Sequence, residues 1–556
     1  MQRKQFIRLS AGTAAALMLG RLTVAGQAGG KRMSEPDEIW AQTGNQWMKL
    51  ESSGSASFSY RDLVVNLRDN AGTKSVFVQS PTLALQGVRL RWKHGFKDGS
   101  KFLGDQWERS YGDLAWKTKP EGVKNPWYLV IDDGSNIACF GVKTGCNSIC
   151  YWQLSDGFLE LTMDTLSGGN GVQLGQRSLH TADIITMKGN DGENAFQADQ
   201  RFCKMMCDKP RLPKQPVYGI NDWYFAYGNN SFELIRKTTM MMGELVTDHS
   251  NKPFSVIDAG WATYSPLLPG DGGWNDDFSR PNEKFGDMKR MADEIKKAGM
   301  RPGLWMRPLC AKHDEKSNLL APSIPGRDDP KYPTLDPTIP ENLARVKRNF
   351  DFYKKWGYEM VKHDFSTYDI AGRWGMQMKD SFTAPGWSYH NNSITNAEIM
   401  LQLYRAIREA AGDNIYLIGC NTMSHLSAGI FELCRIGDDT SGKEWERTRK
   451  FGVNTLAFRL PQHDAFYAAD GDCVGLTTDI AWARNKQWLQ LLAESGAPLF
   501  ISAQPEAMGL VQKDAVKLAF SQAAKQQPVG EPLDWMNTQV PARWKLNNRE
   551  VTFDWS

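Results

Sequence analysis

Histidine and cysteine are too few and too scattered in this sequence to form the usual metal motifs. The chain has eight histidines and nine cysteines, and it contains no H-x-H, H-E-x-x-H or C-x-x-C pair. Zinc ligands recur at these spacings because the spacings place two donors side by side. A metal-dependent hydrolase is therefore a weak candidate, and we expect no metal and no other cofactor.

Long runs of one charge or of apolar residues are also missing from the body of the chain. The 66 basic residues nearly balance the 63 acidic ones and are interspersed with them, which leaves no electrostatic footprint for nucleic acid. No run after the N-terminus approaches the roughly twenty apolar residues that cross a bilayer. We expect an uncharged substrate and a mature protein without a membrane span.

Residues 1–28 have the pattern of an export signal. Basic Arg3 and Lys4 are followed by an apolar stretch and then by small residues at 25–28, which is the order of a cleaved signal peptide. The string around Arg3 and Lys4 loosely resembles a twin-arginine signal. The sequence therefore predicts a periplasmic or secreted protein and leaves the Sec or Tat route open.

The length of the chain predicts several domains. Its 556 residues exceed the roughly 250 to 300 residues that a single core organises. Residues 35–208 carry short β-rich runs broken by turn residues, which predicts an N-terminal β-sandwich. After a proline-punctuated linker, strands alternate with amphipathic helices at 217–505. Residues 506–556 are expected to form a barrel-closing helix at 514–525 and a short C-terminal β-rich segment.

The middle region contains eight strand candidates, and eight is the strand number of a TIM barrel. A helix at 285–298 and a helix that starts with the capping box Thr395-x-x-Glu398 fit between them. We therefore predict a multi-domain α/β plus β fold: a central (β/α)8 TIM barrel, an N-terminal β-sandwich and a small C-terminal β-domain. The strand candidates are 217–225, 254–261, 302–307, 358–365, 415–421, 431–439, 465–473 and 497–503.

The end of the fourth strand carries a candidate nucleophile. In a TIM barrel the chemistry lies where the strands end at the carboxyl face. The two-residue period of a strand puts Lys362 and Asp364 on the same side. A neighbouring lysine keeps a carboxylate ionised, as a nucleophile requires. Asp364 is our candidate, and a structural ion pair is the alternative.

The sixth strand ends in the acidic pair Asp438-Asp439. Alternation puts Arg435 and Asp439 on one side of the strand and turns Asp438 away. Two carboxyl groups that face each other across a barrel mouth suit glycoside hydrolysis, in which one attacks the anomeric carbon and the other protonates the leaving oxygen. Asp439 is therefore our candidate general acid/base.

Other residues at the strand ends are candidates for sugar binding or for packing. Asp258 ends the second strand and can bind hydroxyl groups, and Trp305 of the third can stack on a ring; each can equally be local structure. His363 is expected to point into the helix layer. Cys420 has no partnering histidine motif, so we expect it to line a wall rather than to act as a thiol nucleophile.

These strand-end motifs resemble those of the retaining α-galactosidase clan, closest to glycoside hydrolase family 36 and more distantly to family 27. The resemblance runs over about residues 120–510. The family's Gly-x-Asn-x-Trp element, its Lys-x-Asp strand end and its Arg-Ile-x-x-Asp-Thr element all have counterparts in the same order. The matching segments are Gly219-Ile220-Asn221-Asp222-Trp223, Lys362-His363-Asp364 and Arg435 to Thr440.

The resemblance implies a function and further site residues. It implies retaining hydrolysis of terminal α-galactosyl residues, with a covalent intermediate on Asp364 and with Asp439 as general acid/base. It also implies the three-part architecture predicted above. The sugar-binding residues that it implies are Trp223, Asp258, Trp305, Lys362, Cys420, Arg435 and, in a loop after strand seven, Asp472.

One position departs from the family pattern. After the second strand the family usually has Asp-Asp-Gly-Trp, whereas this chain has Ala259 in place of the second aspartate. In the family the two carboxylates hold the 4- and 6-hydroxyls of galactose, and losing a buried charged hydrogen bond costs roughly 1.5 to 3 kcal/mol. The sugar is therefore left open among galactose, N-acetylgalactosamine and β-L-arabinopyranose, which lacks the 6-hydroxymethyl group.

A noncatalytic carbohydrate-binding relative is the alternative from outside the enzyme class. Such proteins commonly lose a catalytic carboxylate, whereas this chain has both Asp364 and Asp439. As partners we expect an oligosaccharide or the side chain of a polysaccharide, and no nucleic acid. The oligomeric state stays open.

Overall fold

The computed structural model describes residues 35–44, 46–70, 72–264, 275–312, 315–320, 324–325 and 333–556. The predicted signal peptide at 1–28 lies outside the described residues. Within the described ranges, no helix is long and apolar enough to cross a membrane.

Short antiparallel strands make up the N-terminal part of the described chain. Alternate residues along them are buried, as Leu63, Val65 and Leu67 illustrate, because successive side chains of a strand point to opposite faces. The strands are β1 (Glu38–Thr43), β2 (Gln46–Lys49), β3 (Glu51–Gly54), β4 (Ser57–Tyr60), β5 (Leu63–Asn70), β6 (Thr73–Gln79), β7 (Leu85–Lys93), β8 (Lys101–Gly104), β9 (Lys117–Thr118), β10 (Asn125–Pro126), β11 (Tyr128–Asp132), β12 (Ile137–Val142), β13 (Ile149–Ser155), β14 (Phe158–Asp164), β15 (Leu166–Ser167), β16 (Asn170–Gly171) and β17 (Leu179–Lys188).

These strands form two large facing sheets, which confirms the predicted β-sandwich. One sheet has the order β10-β13-β14-β7-β1-β2, and the other has the order β3-β4-β5-β6-β17-β12-β11-β8-β9. Contacts join their inner faces: the ring centroids of Phe140 and Trp152 are 6.0 Å apart. The Thr181 hydroxyl also lies 3.2 Å from the Met163 sulfur. Helix α1 (Ala195–Met206) follows the last strand and begins with a capping box at Asn194.

Parallel strands dominate the next part of the chain. They pair in register from one strand to the next, with Trp305 opposite Lys362 and Lys362 opposite Ile418. The strands, including the antiparallel hairpin of β20 and β21, are β18 (Tyr218–Asn221), β19 (Phe254–Ile257), β20 (Ala262–Tyr264), β21 (Asn275–Pro281), β22 (Arg301–Met306), β23 (Met360–His363), β24 (Tyr416–Gly419), β25 (Leu433–Arg435), β26 (Ala468–Asp470), β27 (Cys473–Leu476) and β28 (Leu499–Ala503).

The parallel sheet closes into the predicted TIM barrel. Its order is β26-β25-β24-β23-β22-β19-β18-β28-β27, and the two edge strands are separated only by Gly471 and Asp472. The predicted seventh strand at 465–473 is thus two short strands. Asp472 has a φ of 73°, a left-handed conformation that interrupts the extended ladder. The first strand also ends earlier than predicted, at Asn221, because a helix begins at Trp223.

Helices between the strands cover the outside of the barrel. The capping box of Thr395 and Glu398 is present as predicted. The predicted helix at 285–298 begins later, after Asp287, whose carboxylate caps it. The helices are α2 (Trp223–Ala226), α3 (Phe232–Gly243), α4 (Met288–Lys297), α5 (Pro340–Trp356), α6 (Ser366–Ala371), α7 (Asn396–Ala411), α8 (Ser424–Ser427), α9 (Trp445–Arg447), α10 (Thr455–Arg459), α11 (Trp482–Glu494) and α12 (Leu510–Ala523), with a π-helical stretch at Thr448–Asn454.

A small sheet completes the described chain after α12. Strands β29 (Glu531–Pro532), β30 (Arg543–Leu546) and β31 (Arg549–Thr552) pair antiparallel. Trp535, next to this sheet, lies edge-on to Trp116 of the N-terminal part, with centroids 5.3 Å apart, and also contacts Phe458 of α10, with centroids 5.5 Å apart. The C-terminal segment therefore packs on both larger parts. The domain limits 35–208, 217–505 and 506–556 stay a prediction.

Candidate active site

The carboxyl ends of the barrel strands surround a small pocket of about 90 Å³. It lies where a TIM barrel carries its chemistry. Six of the nine predicted site residues line it, and the other three, Cys420, Arg435 and Asp472, lie behind it. The lining residues are Arg109, Trp223, Asp258, Ala259, Trp305, Lys362, Asp364, Phe365, Trp374 and Asp439.

Asp364 directly follows β23 and is half-buried. Its Oδ1 atom accepts a hydrogen bond of 2.7 Å from the N–H of Phe365. The indole N–H of Trp305 lies 3.3 Å from Oδ2. Phe365 has a φ of 64°, a conformation that is uncommon for a bulky residue and that turns the chain sharply after Asp364. These two donors orient the carboxylate without neutralising it.

Lys362 does not pair with Asp364, contrary to the sequence-based interpretation. Its ammonium binds the Oδ2 atom of Asp258 at 2.7 Å across the barrel interior. Asp258 is the more deeply buried carboxylate, at 3% exposure, and therefore gains more from a cation. Burial opposes the charge on Lys362, but the charge of Asp258 raises the pKa of the lysine well above its usual value.

Asp258 is held by further donors on both carboxylate oxygens. The amide of Asn221 donates to Oδ2 at 2.7 Å, and the N–H of Ala259 donates to Oδ1 at 2.8 Å. Asn221 belongs to β18, so three barrel strands fix this one carboxylate. The result is a rigid polar floor for the pocket.

Asp439 follows β25, and its side chain is 36% exposed. Its Oδ1 atom lies 3.1 Å from a guanidinium nitrogen of Arg435 and 3.5 Å from one of Arg109. Burial disfavours the ionised form, but the charges of Arg435, Arg109 and Lys362 outweigh it and lower the pKa of Asp439 below its usual value. Asp439 is therefore ionised in the free protein at neutral pH.

Asp438 points away from the pocket, as strand alternation predicts. It pairs with Arg109 at 2.9 Å and with Arg447 at 3.5 Å. Its neighbour Asp439 lines the pocket while Asp438 does not.

Arg435, Asp472 and Cys420 form a buried support behind Asp439. Arg435 pairs with Asp472 at 2.9 Å and lies 3.7 Å from the Cys420 sulfur. Asp472 accepts further hydrogen bonds from the backbone N–H of Thr440 at 2.8 Å and from the Tyr224 hydroxyl. Burial and the charge of Asp364 raise the pKa of the Cys420 thiol well above its usual value, which excludes a thiolate nucleophile there.

Two aromatic residues of the pocket were missed by the sequence reasoning. Phe365 directly follows Asp364, and Trp374 lies in the loop after the fourth strand. The Trp374 ring stacks on Tyr368 with centroids 4.5 Å apart. Nothing in the local pattern separates Trp374 from the other tryptophans of the chain, of which there are 20 in total.

Arg109 was also missed, because it comes from the β-sandwich rather than from the barrel. It lies in the loop between β8 and β9, residues 105–116, which we call the β8–β9 loop. Ser110 in this loop exchanges backbone hydrogen bonds of 2.8 Å with Ile436 and Asp438. No local sequence signal connects a sandwich loop to a barrel strand more than 300 residues later.

Ala259 belongs to the pocket lining, and its side chain supplies no polar group. The nearby carboxylate of Asp222 does not replace the missing one, since Asp222 is absent from the pocket lining. Its oxygens instead accept from the N–H of Asp258 and the amide of Asn230, both at 2.7 Å. Burial and the charge of Asp258 raise the pKa of Asp222 to about 7.

His363 lies in the helix layer outside the pocket. Its ring packs edge-on against Phe431 with centroids 4.7 Å apart, and burial lowers its pKa to about 3. It is therefore a neutral packed side chain. In the part of the chain that the structure describes, no group of three or more His, Cys, Asp or Glu side chains suits a metal ion.

Comparison with known proteins identifies the fold. No family model matches the sequence. The α-galactosidase TtGalA from Thermus thermophilus, in complex with p-nitrophenyl α-D-galactopyranoside, superposes with a TM-score of 0.60 at 17% identity over 93% of this chain and 98% of that one. A variant of the family 36 α-galactosidase AgaA from Geobacillus stearothermophilus, in complex with 1-deoxygalactonojirimycin, gives 0.60 at 12% identity over 94% and 80%. The α-galactosidase from Lactobacillus brevis gives 0.56 at 12% identity over 90% and 74%. The chain therefore has the fold of family 36 α-galactosidases.

Proposed function

We propose that this protein is a retaining glycoside hydrolase of the α-galactosidase type, which removes terminal α-galactosyl residues. One observation carries the proposal: Asp364 and Asp439, from the ends of the fourth and sixth barrel strands, line the same small pocket together with tryptophans. Two carboxyl groups that line one pocket are the machinery of glycoside hydrolysis. The likeness of the fold to α-galactosidases supports the sugar class.

In the first step, an Asp364 oxygen attacks the anomeric carbon and forms a covalent glycosyl ester. The glycosidic C–O bond breaks, and the leaving oxygen takes the proton of Asp439. Trp305 and the N–H of Phe365 hold the attacking carboxylate in place. Because cations favour the ionised form of Asp439, this step draws on the protonated fraction of that residue.

In the second step, water replaces the enzyme at the anomeric carbon. Ionised Asp439 takes a proton from the water, the water oxygen bonds to the anomeric carbon, and the ester bond to Asp364 breaks. The product keeps the α configuration, because two inversions restore the starting stereochemistry. The proton that Asp439 gave in the first step is thereby returned to it, so the cycle balances.

Complexes of similar proteins favour an oligosaccharide with a terminal galactosyl residue as substrate. Solved neighbours carry suitable sugars: TtGalA was crystallised with stachyose, and a variant of AgaA with raffinose. By analogy we propose a galactosyl oligosaccharide or polysaccharide side chain as substrate, acted on after export of the protein.

Ala259 favours β-L-arabinopyranoside hydrolysis as the second candidate. Ala259 lines the pocket, and the resemblance predicts a carboxylate for sugar hydroxyls at this position. β-L-Arabinopyranose has the ring stereochemistry of galactose but no 6-hydroxymethyl group. It therefore loses less binding free energy than galactose at a site that lacks this acceptor. The reaction chemistry on Asp364 and Asp439 is the same for both sugars.

The test is hydrolysis of 4-nitrophenyl α-galactopyranoside and β-L-arabinopyranoside by the wild type, Asp364→Ala and Asp439→Ala. Asp364→Ala is expected to lose at least about a thousandfold in kcat/KM, since it removes the nucleophile. Asp439→Ala is expected to lose about a hundred- to ten-thousandfold in kcat, because the second step needs the base, whereas 4-nitrophenolate leaves with little help from an acid. Added azide is expected to restore turnover to Asp364→Ala, because a small anion can occupy the vacated position. The preferred sugar decides between the two candidates.

Asp438→Ala is the matched control for the position next to the acid/base. Asp438 neighbours Asp439 but does not line the pocket, so it is expected to lose far less activity. Full activity of Asp364→Ala or Asp439→Ala contradicts the assignment of the site. A wild type that cleaves neither sugar contradicts the proposed substrate class.

A further inference from the structure

The β8–β9 loop of the sandwich places a second guanidinium beside Asp439. Arg109 lies 3.5 Å from the Asp439 carboxylate and 2.9 Å from that of Asp438. Its side chain is only 8% exposed, and its Nε atom has no hydrogen-bond partner among the described residues. A buried cation that touches both acidic residues and lines the pocket is more than a surface ion pair.

The loop that carries Arg109 is fixed to the barrel on both sides. Ser110 forms a parallel bridge with Gly437, which ties the loop to the end of the sixth strand. The buried guanidinium of Arg459 donates to the carbonyls of Glu108 and Ile436, each at 2.8 Å. The loop and the strand end that bears Asp439 therefore form one rigid unit.

Glu108 extends this unit to the aromatic side of the pocket. Its buried carboxylate accepts a 2.7 Å hydrogen bond from the N–H of Gly375 and another from the Asn421 amide. Gly375 follows Trp374, whose ring centroid lies 5.3 Å from the Arg109 guanidinium. Arg109 thus contacts the acidic and the aromatic sides of the pocket at once.

We propose that Arg109 is a positioning residue for the acid/base: it fixes the orientation of the Asp439 carboxylate and governs how readily that carboxylate carries a proton. The proposal rests on the proposed function, which makes Asp439 the acid/base. The proposal also makes the β8–β9 loop a part of the active site, although the loop belongs to the β-sandwich and not to the barrel.

The charges around Asp439 give the direction of the effect. Removal of Arg109 leaves Arg435 and Lys362 as the cations that favour the ionised carboxylate. Removal also takes the nearer cation from Asp438, whose negative charge then acts on Asp439 with less compensation. Both changes raise the pKa of Asp439. The remaining titratable and charged groups that face this region include Glu108 and Tyr111 of the β8–β9 loop, which interact with Arg109 and Asp438. They also include Asp364, Tyr224, Arg447 and, through Arg435, Asp472.

The first experiment is the pH profile of kcat and of kcat/KM for wild type, Arg109→Gln and Arg109→Lys on the better of the two aryl glycosides. Loss of an opposite charge at this distance shifts a pKa by about one unit or more, so one limb of the profile is expected to move upward by that amount in Arg109→Gln. Arg109→Lys, which keeps the charge, is expected to stay close to the wild type. Profiles with both limbs unmoved overturn the proposal.

Arg201→Gln is the matched control, since Arg201 forms an ion pair with Glu193 outside the pocket. Its profile is expected to coincide with that of the wild type. An equal shift in this variant overturns the proposal, because the effect then does not depend on contact with Asp439.

A second readout does not require activity and separates this proposal from the proposed function. Without Arg109, Asp438 and Asp439 repel each other when both are ionised, so Arg109→Gln is expected to lower the melting temperature more at pH 7 than at pH 4. Arg109→Lys is expected to lower it equally at both pH values. If Arg109→Gln lowers the melting temperature equally at pH 7 and pH 4, the proposal is overturned. An inactive wild type, in contrast, overturns only the proposed function.

Discussion

The buried carboxyl of Asp222 provides a quantitative test of the electrostatics beneath the pocket. Burial and the neighbouring charge of Asp258 raise its pKa to about 7, whereas an aspartate in an unfolded chain titrates near about 3.9. Between these two values the folded state holds a proton that the unfolded state has lost. Stability therefore falls as pH rises through this window, and the loss is absent below it and complete above it.

The size of the effect follows from the shift. About three pKa units at roughly 1.36 kcal/mol each correspond to about 4 kcal/mol of unfolding free energy. At about 2 °C per kcal/mol for a large domain, a melting-temperature difference of roughly 8 °C accumulates between pH 4 and pH 8. Asp222→Asn has no carboxyl group to titrate at this position. Between pH 4 and pH 8 its melting temperature is therefore expected to rise by about 8 °C relative to that of the wild type.

The assay is thermal unfolding of wild type and Asp222→Asn at a series of pH values. The asparagine places an N–H group opposite the Asn230 amide, which donates to Asp222 in the wild type. That clash costs about 1 to 3 kcal/mol but does not depend on pH, so the readout is the slope and not the absolute stability. Asp98→Asn, at an exposed ion pair with Lys119, is the control and is expected to follow the wild-type slope. Equal slopes for wild type and Asp222→Asn refute the reasoning.

Two further predictions concern Lys362, which binds Asp258 at the floor of the pocket, and Ala259 in the pocket lining. Lys362→Met leaves the buried Asp258 without its cation and is expected to cost about 3 to 5 kcal/mol at pH 7. Thermal unfolding at pH 7 measures this loss, and a variant as stable as the wild type contradicts it. Ala259→Asp adds a charged acceptor for a sugar hydroxyl worth about 1.5 to 3 kcal/mol. It is therefore expected to raise the kcat/KM ratio of galactoside to arabinopyranoside about ten- to a hundredfold, and an unchanged ratio means that position 259 does not contact the sugar.

Much of the barrel was predictable because its signals are local. Each strand is a short apolar run bounded by turn residues, and the helices carry caps such as Thr395 with Glu398. The differences arise where a tertiary contact overrides the local pattern. The seventh strand breaks at Asp472 because its carboxylate turns toward Arg435 and Thr440, and no neighbour in the sequence announces those partners.

The candidate site likewise has features that the sequence predicted and features that it did not. Asp364 and Asp439 were expected to meet because parallel strands of a barrel end at one face, and both line the pocket. The predicted partner of Lys362, Asp364, was wrong, since the lysine pairs with Asp258. Side-chain alternation gives the side of a strand to which a residue points, but not how far a long side chain reaches across the barrel. Arg435 and Asp472 were expected to line the sugar pocket and are not among its lining residues, because alternation along a strand does not give the depth of a side chain.

The sequence by itself determined the class of the fold and the strand ends at which carboxylates stand, because residue periodicity and strand order are properties of neighbours along the chain. Only the tertiary structure decided which charges pair. It joined Lys362 to Asp258, and it brought Arg109 from a sandwich loop to within 3.5 Å of Asp439. Electrostatic interactions depend on distance and burial in space, and residues 330 positions apart acquire both only when the sandwich packs on the barrel.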